Sequence, residues 1–550
     1  MAELMTRPVR TTDETGAAHH TGAVLARLRM ARAGRREERR KSIAYTLYCT
    51  ALLLGIWGVP LLVAAAQAGA DGRLRGPVTE RLLSALPTTL PAVLATVVLM
   101  LAERAMWQGP VLLERAALSW LLPQPVLRRA LLLPRFIVAS ATTTAIATAA
   151  GAVAGFLLHA LGAGTWWAAT TGGALTGAAA GFTGTALATL VQRHCDTALR
   201  RGAWVRRTAW AVVAVLWLLA AVSLAGGSWA GEQVVPWSGP WGWAALPLVA
   251  VAGGAPAAAG WAGAALSLLV LATAGRAGAD AAVRIPARVL RTQAGTALRV
   301  QASLYSLDLR QARTAVRATR SRTVRSTVRP PFPRRVWLLV PWRDATALLR
   351  APGRPAWAAI WAAVAVALLC LDGTPAAVPL MALPAGYLAA AQLAEPARLE
   401  TDDVRRSAHL PWPARVLALW HGAVPAAGLL VLSALCAAAA AGAGLWSDRL
   451  LVLPALVPSL VGAALVSAYR GVVPVHLMIG SMTPLGDTGP LAALLWQARG
   501  PLVALGCLAV VDGPVRGSEP DAVGLLWPLV VGVGMTWWAG VTARRTMRGR

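Results

Sequence analysis

Twelve apolar runs of about 20 residues, with almost no charge inside them, constrain this chain more than any other feature. They fall at about 43–67, 87–106, 134–161, 166–191, 208–226 and 257–275, and again at about 355–371, 375–394, 416–442, 450–469, 491–511 and 523–543. A helix needs roughly 20 apolar residues to cross the ~30 Å hydrocarbon core of a bilayer. Inside that core a backbone must satisfy its own hydrogen bonds, which helices do within one segment. The reading is therefore all-α: a polytopic membrane protein of about 12 transmembrane helices. Composition agrees, since only 14% of the residues are charged, against about a quarter in soluble domains.

The net charge of +28 comes almost wholly from arginine, with Lys41 the only lysine. The arginines gather between runs. With the N-terminus inside, the outer loops hold Arg73, Arg75, Arg81, Arg449 and Arg516 and little else basic. The inner segments hold nearly all the rest, including Arg193, Arg200, Arg201, Arg206 and Arg207 and the terminal Arg544, Arg545, Arg548 and Arg550. The positive-inside rule then places both termini in the cytoplasm, across a bacterial plasma membrane. This distribution assigns the basic charge to topology and membrane lipids, not to nucleic acid. About forty residues precede the first run, which is longer than a signal-peptide core, so an uncleaved first span is expected.

Two segments interrupt this pattern. LLPQPVLRRALLLP (121–134) and HLPWPARVLALWH (409–421) share a Leu-Pro-x-Pro opening 288 residues apart. Each follows the second run of its set. Proline at a first helical turn costs nothing, so the segment reads either as a short helix entered from extended chain or as a turn capping the next span. The chain thus divides into a tail and amphipathic lead-in helix (1–41), a first six-span half (42–275), a basic linker (276–354) and a second six-span half (355–550). The linker carries seventeen arginines against Asp280, Asp308 and Asp344. It reads helical from Arg284 to Arg329 and breaks at PPFP, 330–333. LLVPWRDATALLRAPGR (338–354) takes the place before the second half that the basic stretch 21–41 takes before the first. The two halves read as an internal duplication of plan.

The chemistry is mostly a set of exclusions. A P-loop needs its lysine behind glycines, and Lys41 lies in an Arg/Glu run, so no ATPase site and no enzyme activity is expected of this chain. The five cysteines form no CxxC pair, and His194-Cys195-Asp196 lacks partners at ligand spacing, so no metal and no cofactor is expected. His159 and His421 lie in or near spans and read as helix-to-helix hydrogen-bonding groups. The scarcity of buried charge weighs against a proton-coupled carrier. Gly173, Gly177 and Gly181 recur every four residues and read as a helix-packing face. Tryptophans at span ends, such as Trp166-Trp167 and Trp537-Trp538, read as interfacial anchors.

The two Leu-Pro-x-Pro segments resemble the coupling-helix region of ABC-2-type exporter permeases, and PWSGPWGWAAL (236–246) resembles that family's outer segment before its sixth span. The chain also resembles actinobacterial membrane proteins of similar size. The resemblance implies a fused permease subunit with a separate ABC ATPase as partner and an unspecified cargo. It implies ATPase-coupling roles for Leu122, Pro123, Pro125, Arg128 and Arg129, and for Leu410, Pro411, Pro413 and Arg415. It departs from the family in its fusion of halves and in the more polar DGPVRGSEPDAVGLLWP before its last span. Two rivals stand beside it: a non-transporting membrane scaffold, and a secondary carrier.

Overall fold

The computed structural model describes residues 40–548, less 198–202, 225–230, 306–329, 371–376, 403–409, 478–481, 511–521 and scattered shorter positions. The chain is an all-helical membrane protein, and nine of the described helices are long and apolar enough to cross a bilayer. The strand content among the described residues is a two-residue antiparallel ladder, Met482–Thr483 with Gly486–Asp487.

Internal packing divides the chain into two compact units, Met1–Ala302 with Arg310–Thr323, and Ser303–Leu309 with Val324–Arg550. The first contains α1 (Val59–Ala70), α2 (Pro77–Ser84), α3 (Leu86–Arg104), α4 (Arg115–Trp120) and α5 (Arg128–Ala160). It continues through α6 (Trp166–Arg193), α7 (Ala203–Leu224), α8 (Pro240–Val251), α9 (Ala257–Val283) and α10 (Ala287–Tyr305). The second contains α11 (Leu339–Arg350), α12 (Gly353–Leu369), α13 (Ala382–Leu393), α14 (Glu395–Asp402), α15 (Ala414–Gly442), α16 (Leu453–Tyr469), α17 (Gly489–Val510) and α18 (Ala522–Arg548).

Three of the twelve apolar runs do not form a helix of spanning length among the described residues. The first lies partly outside them, with scattered helical positions before a π turn, Leu54–Gly58, that runs into α1. The seventh is the 17-residue α12, which meets the Val336–Arg350 stretch at 91°. The eighth is broken at Met381, leaving the 12-residue α13. The 12-residue α8 is too short to cross.

In the first unit α6 is the central helix, packed on α3, α5, α8 and α9. Its glycines explain the closeness to α5. A side chain at Gly173 would overlap the Gly151 carbonyl, and one at Gly177 the Ala147 carbonyl; at Gly181 it would stand 2.6 Å from Ala147 Cβ. Small residues let two backbones meet where lipid supplies no hydrophobic drive. Thr176 donates to Ala244 O (2.8 Å), joining α6 to α8, and Trp210 donates to Glu103 (2.8 Å), joining α7 to α3. In the second unit α16 is central, buried along almost its whole length and packed on α13, α15, α17 and α18. Ser459 donates to the Pro528 carbonyl, one of several contacts that hold α18 against α16. The fourth run of each set therefore packs on the second, third and sixth.

The described parts of the basic 276–354 stretch belong to the units. Val289, Leu290 and Ala294 of α10 are buried in a core with Val111, Leu132 and Phe136. α11 buries Val340, Asp344 and Leu348 within the second unit. Residues 306–329, the basic stretch 21–39, and Arg200 with Arg201 lie outside the described residues.

Candidate functional site

The loop after the second run is fastened in both units, by different chemistry. In the first unit the fastening is made of amides. Gln192, one residue from the end of α6, donates to Val111 O (2.8 Å) and accepts from Val111 N (3.2 Å). It also donates to Gln293 of α10 (2.7 Å), and Gln293 donates to Ala105 O at the end of α3 (2.8 Å). Both glutamines are buried, so each bond replaces one that water cannot supply. Gly109 lies flat against this group, where a side chain would overlap the Gln192 amide. Cys195 seals the edge, its thiol 3.6 Å from Met106 O. Burial and the neighbouring Asp196 hold that thiol above its ordinary pKa, which marks a packed residue and not a reactive one. Among the described residues no three His, Cys, Asp or Glu side chains are grouped to hold a metal ion.

In the second unit the fastening is ionic. Glu395 and Glu400 point inward from α14. Arg343 of α11 pairs with Glu400 at 2.7 Å, and Arg354 of α12 pairs with Glu395 at 3.3 Å. Asp344, beside Arg343, meets His421 of α15 at 2.6 Å, and the Arg343 guanidinium lies 3.4 Å from the other ring nitrogen. One ring nitrogen thus faces a carboxylate and the other a guanidinium. Tyr469, the last residue of α16, stacks its ring obliquely on His421 with centroids 6.4 Å apart. Thr401 of α14 donates to Ala468 O at 3.1 Å. Asp344, Glu400, His421 and Tyr469 are all nearly or wholly buried. Burial pushes the Glu400 carboxyl above its ordinary range, and the opposing pull of Arg343 and His421 does not cancel it.

Of the residues singled out for coupling, Leu122, Pro123 and Pro125 lie outside the described residues. Arg128 and Arg129 open α5 directly and are exposed. No acidic residue shares that first turn, although a helix N-terminus disfavours positive charge by about 0.3–1 kcal/mol per residue. Leu410, Pro411 and Pro413 form the bend before α15; Arg415 is exposed in its first turn, its stem packed over Gly540. The described ends of both segments adjoin long helices, and among the described residues a short separate helix, α4, lies upstream of the first and ends in the exposed Trp120.

Nothing in the sequence singles out Gln192, Gln293 or Asp344 as a site residue. The first two are single amides in unremarkable surroundings, and Asp344 sits in a stretch dominated by arginine. His421 reads as solitary because its partner is 77 residues away.

These features define a multi-pass helical membrane protein whose interhelical loops are held by buried polar groups. The chain belongs to the family described as a family of unknown function (DUF6297), whose model matches residues 79–474. The match includes both fastenings and ends just beyond α16. No curated protein and no solved structure matches the chain.

Proposed function

We propose that the chain is the transmembrane subunit of an ATP-driven exporter, energised by a separate ATPase subunit that docks on the loops after the second and eighth runs. In this reading the twelve runs are twelve spans in two halves, both termini are cytoplasmic, and the arginine-bearing loop ends face the cytoplasm. One observation carries it. In each unit the post-second-run loop is bonded to the penultimate residue of the central helix, Gln192 in α6 and Ala468 in α16. A force applied at such a loop reaches the centre of its helical unit without first being taken up by slack chain. The equivalent packing of second, third, fourth and sixth runs in both units supports duplication of one plan. Arg128 and Arg129, exposed where the helix dipole opposes them, suit contact with an acidic partner surface.

The test is co-purification of the full-length protein from its native membrane. A P-loop ATPase is expected with the wild type, and Arg128→Glu with Arg129→Glu should lower its recovery at least tenfold. Absence of any such ATPase from the wild-type preparation, or a recovery that the double substitution leaves unchanged, defeats the reading. The secondary-carrier alternative gains one specific observation, the buried Asp344–His421 pair, and is separated by energetics: transport that survives ATP depletion and collapses with the proton gradient favours it.

A further inference from the structure

Hydroxyls on membrane helices ordinarily bond back to a carbonyl one turn earlier, and on α5 Thr142 and Thr148 do so, at 2.9 Å to Val138 O and 2.8 Å to Thr144 O. Ser140 and Thr144 do not. Their hydroxyl oxygens are buried and have no hydrogen-bond partner among the described residues. Ser140 is only 4% exposed. Both line a groove of about 870 Å³ along α5, walled by Phe136, Phe182 of α6 and Gly275 of α9. At 1.5 Å per residue, its extent from Leu133 to Ala152 is about 28 Å, close to the thickness of the hydrocarbon core. No charged residue is among the described residues that line it.

We propose that this groove binds an elongated, uncharged amphiphile whose apolar body lies along α5 and whose neutral oxygen, a carbonyl, hydroxyl or ether, meets Ser140 and Thr144. An unbonded hydroxyl in so dry a place is costly, and a ligand oxygen removes that cost. The charge-free lining selects against carboxylates, phosphates and amines, which would be stranded without a counterion. Depth selects against ordinary bilayer phospholipid. Ser140 and Thr144 lie about 10 and 16 Å along the helix from Leu133, whereas phospholipid esters sit at the membrane boundary. The two phenylalanine rings supply flat apolar walls, and Gly275 keeps the floor open, since a side chain there would press on Phe182 at 3.3 Å. The assignment of this ligand as cargo rests on the exporter reading; the binding itself does not.

The test uses the full-length protein in phosphatidylcholine nanodiscs, without any ATPase, and the radiolabelled probes heptadecan-9-one and heptadecane. Wild type should bind the ketone saturably and prefer it over the hydrocarbon by roughly threefold to tenfold, the worth of a buried hydrogen bond. Ser140→Ala with Thr144→Val should erase the preference while keeping the groove. Ala145→Phe, at an exposed position of the lining, should block both probes without disturbing helix packing. Thr142→Val, whose hydroxyl is already bonded within the helix, should change nothing. Unsaturable uptake, equal binding of the two probes by the wild type, or ketone binding that survives Ala145→Phe overturns the proposal. A failed ATPase co-purification leaves this measurement standing, and a failed binding experiment leaves the docking of an ATPase standing.

Discussion

His421 Nδ1 lies 2.6 Å from Asp344 Oδ2, with both side chains sealed from solvent. This pair joins α11, which lies across the direction of the next helix, to the first turns of α15. Its neighbours are Arg343 from α11, Glu400 from α14 and Tyr469 from α16, so four helices meet at one polar point.

Breaking this pair from one side leaves a buried group without its partner. His421→Ala or Asp344→Ala should each cost about 3–5 kcal/mol of stability. The double substitution should cost less than the sum by about 1–3 kcal/mol. Thermal unfolding of the three detergent-solubilised variants checks this; strict additivity would show that the two residues do not interact.

Glu400 supplies a pH signature. Its carboxyl is raised by burial in the folded protein, so the folded state holds a proton that the unfolded chain releases more readily. Its contribution is full below the ordinary carboxylate range and is lost as pH rises through the elevated folded value. Glu400→Gln should therefore flatten the pH dependence of the unfolding midpoint over that interval. The wild-type curve minus the variant curve isolates the effect, and a difference that grows with acidification in the opposite sense refutes it. The groups facing Glu400 are Arg343, Asp344, His421 and Tyr469, and none of them is altered by the substitution.

Much of the architecture is legible in the chain. Long apolar runs announce α5, α6, α9, α15 and α16 through length alone. The four-residue spacing of Gly173, Gly177 and Gly181 is visible because helical periodicity turns spacing into a face. The polar fastenings are not legible, because their partners are brought together only by the fold: Gln293 reaches Ala105 across 188 positions, and Arg343 reaches Glu400 across 57. Asp344 is hidden by its setting, since one carboxylate among arginines reads as surface charge.

Gln192→Ala removes the hub of the amide group, and Val111 then loses both of its bonds to that side chain. A cost of about 1–3 kcal/mol is expected, concentrated in the 105–113 loop. Hydrogen exchange should show faster amide exchange there, with α6 unchanged. Equal protection in wild type and variant would mean that the loop is held by its apolar contacts alone.

The glycine seam makes a sharper prediction. Gly177→Ala places a methyl group against the Ala147 carbonyl and should destabilise by about 1–3 kcal/mol or more. Gly506→Ala has nothing within 4 Å to meet and should be neutral or stabilising by up to about 1 kcal/mol. Unfolding midpoints of the two variants, measured side by side, distinguish a packed seam from a tolerant surface.

That seam has a mechanical meaning. A layer of side chains between two helices acts as a cushion that yields when one of them is pushed. Along the middle of α5 and α6 the cushion is missing, and backbone bears on backbone from Gly155 against Ala169 to Ala147 against Gly177. The two helices therefore form one stiff beam over the seam, whereas Arg128 lies beyond Pro134, which interrupts the hydrogen bonds in the first turns of the ~50 Å α5. A displacement that reaches the seam cannot be absorbed there and must appear as tilt along the length of the beam.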